Sequence, residues 1–329
     1  MLRTDLCDRL GIECPIVLAG MGGVSMHKLT AAVSNAGGLG VLGGATVDAE
    51  SLRQEIRETR KLTDKPFAVD LLAPSPDMIR PQMQVIFEEG VQIFVAGLAV
   101  PQEFIAEMHE RGMTVIVMVG KVRHAIKSEQ AGADIVAAQG TEAGGHTGEV
   151  GGLALIPQVV DAVKIPVLAA GGIADGRGLV AALALGAQGV VVGTRFIATP
   201  EAQTAPAYRE AILRSGEADT IRTRCYTGKP ARTIRNRYNE EWERKADEIQ
   251  AFPMQAAYSY QQGVMDYMGI GQGADPERSF MPAGQGMGMI RSLKPAAQVI
   301  ADIIKEAEAV LARPPFAHDG RAAKGERRA

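Results

Sequence analysis

Cysteine is scarce in this chain of 329 residues: there are three, Cys7, Cys14 and Cys225, and they lie far apart. That spacing supplies neither a disulfide framework nor a zinc site, so no metal centre is expected. Excess charge is scarce as well, the net charge being −3. Such a balance offers no basic field for nucleic acid or anionic lipid; the expected partner is a small molecule, with no nucleic acid and no membrane. No apolar leader with a cleavage signal precedes Thr4, and with so few cysteines the reading is a reducing, cytoplasmic setting. One stretch, residues 179 to 198, is long and apolar enough to imitate a membrane span, but Gly186, Gly189 and Gly193 interrupt it and Arg195 sits within it. Helix, turn and strand explain it better. Low-complexity tracts and solenoid periods are also missing.

Glycine, by contrast, is abundant at 38 residues, and 46% hydrophobic content is enough to bury one large core. One phrase recurs: a glycine closing a helix, a short apolar or β-branched run, then another glycine. It appears in residues 35–44, 88–97, 110–120, 130–140 and 184–194. Each reads as a helix end turning into a buried strand, since glycine terminates helices and strands covered on both faces are continuously apolar. Residues 14–20, 66–73 and 165–172 bring the strands to eight. Met26, Leu29, Val33 and Ala36 recur at helical spacing after Ser25, and Leu52 and Ile56 follow Asp48 in the same way. Eight such units predict an α/β fold, a (β/α)8 TIM barrel, with a doubly wound open sheet as the alternative.

The rhythm stops near Ser215. The expected organisation is a barrel over 1–215, an inserted, mostly helical lid over 216–280, a segment over 281–312 that returns to the barrel, and a flexible tail over 313–329.

In a TIM barrel the chemistry sits at the C-terminal ends of the strands, and the loops after strands seven and eight commonly bind phosphate. Here those ends read Ala170, Gly171, Gly172 and Gly193, Thr194. Asp175 is placed to cap the next helix, and Thr199 with Pro200 to open another. Free backbone N–H groups at such ends cradle an anion without side-chain charge. A phosphate-bearing cofactor is therefore expected, the plainer reading being that the glycines only relieve tight turns. After strand six comes GTEAGGHTGEVGG, residues 140–152. Gln139 and Gly140 end the strand, and Gly144 and Gly145 let the backbone approach a flat ligand with His146 held over it. A lone histidine is more often structural, but one in a glycine loop at the catalytic rim has no apolar face to pack into. Glu142 and Glu149 either orient it or are solvated.

These residues resemble the FMN-dependent nitronate monooxygenases, formerly 2-nitropropane dioxygenases. AQGTEAGGHTGEV and VLAAGGIADGRGLVAALALGAQGVVVGTRF carry the likeness, with CPIVLAGMGGVS, AAVSNAGGLGVLGG, LTDKPFAVDLL and the late PAGQ, which covers nearly the whole chain to about Leu311. Close relatives with similar glycine loops are FMN-dependent enoyl-ACP reductases and NADH:quinone reductases. The resemblance implies FMN, with its phosphate on Gly171, Gly172, Gly193 and Thr194 and its ring edge against Ala19, Gly20 and Met21. Gln139 would face it, Asp70 stands where many members have asparagine, and Gln285 belongs to the late motif. His146 matches the family base that takes a proton from the carbon bearing the nitro group. The implied reaction is oxidation of alkyl nitronates by O2 to a carbonyl compound and nitrite. The alternative is an NAD(P)H-dependent reductase of enoyl thioesters or quinones, with Lys229, Arg232, Arg235 and Arg237 either holding a phosphate or forming a solvated helix face. Met21 and the run Met281, Met287, Met289 are candidate apolar walls, or plain core. GQGMG at 284–288 lies in no βαβ unit and is no dinucleotide fingerprint. A homodimer is one assembly open to such a chain.

Overall fold

A computed structural model describes residues 2–72, 76–98, 102–265 and 274–312; the expected tail, 313–329, lies outside them. Eleven strands are present among these residues: β1 (Ile16–Leu18), β2 (Gly40–Gly43), β3 (Phe67–Leu72), β4 (Ile93–Leu98), β5 (Thr114–Val119), β6 (Ile135–Gln139), β7 (Gly145–His146), β8 (Val167–Ala170), β9 (Gly189–Val192), β10 (Thr220–Thr223) and β11 (Ala231–Ile234). Eight of them form one parallel sheet in the order β1-β9-β8-β6-β5-β4-β3-β2. A parallel bridge between Val17 and Leu39 joins the two outer strands, and Leu18 N–H donates to the Leu39 carbonyl at 2.9 Å. The sheet is thereby closed into the expected barrel, and no open edge is left to pair wrongly.

The strands are buried along β1, β2, β8 and β9 without a break, because side chains fill the barrel on one face and meet helices on the other. The helices start where their caps dictate. Asp48 accepts the Ser51 N–H and opens the helix Ala49–Leu62, and Asp175 accepts the Arg177 and Gly178 N–H groups and opens Gly176–Ala184. The expected start at Thr199 and Pro200 is not used. Thr199 Oγ1 donates instead to the Phe196 carbonyl at 2.8 Å, closing the short helix Thr194–Ile197, and the next helix is Pro206–Arg214 with proline at its N-terminus. The last helix, Ala296–Ala312, docks on Gly176–Ala184 so closely that a Cβ on Gly176 would stand 2.3 Å from the Ala307 nitrogen.

Between barrel and last helix the chain forms the expected helices Arg237–Glu243 and Met254–Gln261 and, unexpectedly, the hairpin β10–β11. Strand β11 pairs antiparallel with β7, setting Ala231 opposite His146. This region has its own apolar cluster of Cys225, Tyr226, Val264, Met265 and Phe280, with the Tyr226 and Phe280 rings 4.8 Å apart.

Candidate functional site

The register fixes which residues share the rim. Gly43 lies opposite Asp70, Gln139 opposite Ala170 and Leu18 opposite Val192. Just beyond these ends opens a cavity of about 360 Å³. Ala19, Gly20, Met21, Asp70, Gln139, Gly144, Gly145, His146, Ala170, Gly171, Gly172, Gly193 and Thr194 all line it. Gly140 and Gln285 do not. The face of Gly140 is turned to Glu142, whose Oε2 would stand 2.2 Å from an added Cβ. Gln285 contributes backbone, its N–H donating to the Glu142 carbonyl at 2.9 Å.

Gly171 and Gly172 have φ of 104° and 71°, a left-handed conformation that a side chain would strain. Among the described residues no backbone acceptor takes the N–H of Gly171, Gly172, Gly193 or Thr194. Thr194 Oγ1 accepts the Gly284 N–H at 3.0 Å, so its hydroxyl proton is available for another partner. A Cβ on Gly286 would lie 2.6 Å from the Gly172 carbonyl, so the segment after Pro282 packs directly on this turn. Half-buried, unspent backbone donors that line the cavity suit a phosphate monoester.

The adjoining wall, at the end of β1, suits a flat ring. A Cβ on Gly20 would sit 2.2 Å from Asp70 Cβ, so the Gly20 backbone packs directly on the Asp70 side chain. Asp70 is 3% exposed. Burial pushes its carboxyl up to about 8, offset in part by the Gly97 N–H that it accepts. It is therefore mainly neutral at pH 7, and an ionised carboxylate does not face the cavity.

His146 Nε2 lies 2.9 Å from Thr227 Oγ1. That hydroxyl donates to the Lys229 carbonyl at 3.1 Å; with its one proton so used, it accepts from Nε2–H and leaves the lone pair on Nδ1. Burial, and then the positive charge of Lys229, lowers the imidazole to about 4. Neither glutamate orients it. Both Glu142 oxygens accept the Gly152 N–H, at 2.9 and 3.0 Å, at the start of the helix Gly152–Ala162, and Glu149 is exposed beside Arg222.

Other expectations are corrected. Arg232 is buried, donating to the Thr141 carbonyl at 2.8 Å and Thr220 Oγ1 at 3.0 Å, so it braces the hairpin rather than a phosphate. Arg235 and Arg237 pair with Glu240 and Glu241 on the surface, as the solvated reading has it, whereas Lys229, with Nζ 4.4 Å from the Phe252 ring centre, has no carboxylate partner among the described residues and stays open to an anion. Met281 and Met287 are core residues and Met289 is exposed; the cavity methionines are Met21, Met118 and Met265. Sequence reasoning also missed Thr227 and the apolar mouth formed by Phe252, Ala256, Tyr260 and Phe280. Among the described residues no cluster of ligands could hold a metal, and no helix is long and apolar enough to cross a membrane.

Known proteins share this architecture and sequence. The profile described as nitronate monooxygenase matches residues 3–306. A probable nitronate monooxygenase of Staphylococcus saprophyticus is 37% identical over 300 residues, covering 77% of this chain and 84% of that protein. The (3aS,4S,5R,7aS)-5-hydroxy-7a-methyl-1-oxo-octahydro-1H-indene-4-carboxyl-CoA dehydrogenase of Rhodococcus jostii is 44% identical over 233 residues, 71% of this chain and 66% of that one. The solved structure of FabK from Thermotoga maritima superposes with a TM-score of 0.88 at 40% identity, covering 95% of this chain and 98% of its own. The chain belongs to the nitronate monooxygenase family, and it is a flavin-dependent oxidoreductase.

Proposed function

We propose that the protein binds FMN and oxidises alkyl nitronates with O2 to a carbonyl compound and nitrite. The observation that carries this is one neutral imidazole, His146, on the wall of a cavity that also holds an uncharged donor cradle. Gly171, Gly172, Gly193 and Thr194 would hold the phosphate, and Ala19, Gly20 and Met21 would meet the ring edge. When bound, FMN supplies the electron-accepting centre. The chain's own residues do the rest. Gly20 and Gly97 leave room beside a neutral Asp70, which keeps negative charge away from an electron-rich substrate. Phe252, Tyr260 and Phe280 exclude water from the mouth, so the described part of the segment that carries them serves as a lid. For a neutral nitroalkane, Nδ1 of His146 takes the proton from the carbon bearing the nitro group, while Thr227 fixes the ring through Nε2. Nitrite release from a preformed nitronate in air, by FMN-loaded protein, tests the assignment; absence of nitrite would defeat it.

The apolar mouth and the likeness to FabK and to the indene-carboxyl-CoA dehydrogenase favour a second reading, NAD(P)H-dependent reduction of an enoyl thioester or quinone in the same cavity. Oxidation of NAD(P)H dependent on such an acceptor distinguishes it.

A further inference from the structure

A second cavity, of about 410 Å³, adjoins the first and shares Gly97, Met118, Gln139 and His146 with it. Its lining is likewise mainly apolar, but it also carries cations. Lys121, Lys127 and Lys229 line it together with His124, and no carboxylate does among the described residues. The lysines that pair with carboxylates, Lys61, Lys65 and Lys294, lie elsewhere. Lys121 is also the N-cap of the helix Val122–Gln130, whose first turn has no side-chain cap. The positive field is uncompensated: burial, then Arg123, Lys121 and Lys127, hold His124 below its ordinary range. Three cations from two separate parts of the chain, around a hollow that meets the first at His146, form a receptor for a multiply charged anion. Nitronates carry one charge on a small head, so nothing in their chemistry needs such a site.

We propose that this second cavity binds the diphosphate end of an adenosine nucleotide whose other end reacts in the first cavity. The assignment stands apart from nitronate oxidation and deepens the second reading, in which the substrates are nucleotide-bearing. Both a nicotinamide dinucleotide and a coenzyme A thioester present this shared chemistry, an adenosine diphosphate carried on a long arm. Lys121 and Lys127 meet the phosphates from the helix Val122–Gln130. Lys229, whose Nζ lies 4.4 Å from the Phe252 ring centre, adds the third cation from the far part of the chain.

The test is calorimetric titration of flavin-loaded protein with ADP, comparing wild type with the double variant Lys121→Gln, Lys127→Gln. Neither residue lines the first cavity, so flavin content and nitronate turnover stay unchanged. Removing two charges, one half-buried and one exposed, should weaken ADP binding about tenfold, more at low salt. Titrations with NADPH and with coenzyme A identify the source: whichever weakens alongside ADP is the natural arm. No heat on adding ADP, or equal ADP affinity in wild type and variant, overturns the proposal. Because binding is read directly, this result is independent of whether nitronates turn over.

Discussion

The buried carboxyl of Asp70 makes a prediction whose size follows from its environment. The unfolded chain ionises it near 3.8, whereas burial in the folded protein pushes it up to about 8. Between those values folding requires a proton to be taken up, so stability contributed by this group is full below the unfolded value and falls as pH rises toward the folded one. Each pH unit in that window is worth about 1.4 kcal/mol. The penalty is therefore roughly 2 kcal/mol at pH 5 and about 5 kcal/mol at pH 8, as an upper bound. Asp70→Asn has nearly the same shape, keeps an oxygen to accept the Gly97 N–H, and does not titrate. Its new amide costs about 1–3 kcal/mol if unpaired, but that cost does not vary with pH. The readout is thus the slope. Urea unfolding of the apoprotein at fixed ionic strength should show the variant gaining on wild type by up to about 3 kcal/mol between pH 5 and pH 8. A stability difference that does not change over this range would refute a raised Asp70.

His146→Ala should lower turnover of a neutral nitroalkane by about 10²- to 10⁴-fold and spare the preformed nitronate, because only the former needs proton removal; steady-state rates on both forms of one compound decide it, and equal losses mean that His146 binds rather than deprotonates. With its imidazole lowered to about 4, His146 is already neutral above pH 5. The His146-dependent part of the nitroalkane rate should then be flat from pH 5 to 8, and an inflection near the ordinary histidine value would contradict the burial argument. Thr227→Val should raise the nitroalkane dependence on His146 geometry, reducing kcat about tenfold with little change in nitronate turnover. Gly172→Val should weaken FMN binding in a flavin fluorescence titration while leaving the circular dichroism unchanged; equal affinity would move the phosphate elsewhere.

The barrel was legible because its strands are covered on both faces, so runs such as Ile135–Gln139 and Gly189–Val192 are apolar without alternation and end in glycine. The cradle glycines were legible for a related reason: close backbone approach and positive φ both demand glycine. What stayed hidden depends on contacts distant in sequence. Thr227 reaches His146 across 81 residues, and β7 is a two-residue strand that exists only because β11 pairs with it. Arg232 looked like a solvated cation because charge in a sequence says nothing about burial. Thr199 and Pro200 carry a sound helix-start signal, but the Thr199 hydroxyl was already committed to the preceding turn.

The central claim is that this cavity holds a flavin that a nitronate can reduce. FMN-loaded protein should be titrated with a nitronate in the absence of oxygen and of NAD(P)H, following the flavin absorbance, and air then admitted with nitrite measured. Loss of the oxidised flavin spectrum on adding nitronate, followed by its return and by nitrite on adding air, is the predicted result. A spectrum that nitronate leaves unchanged and that only NAD(P)H bleaches would contradict the claim.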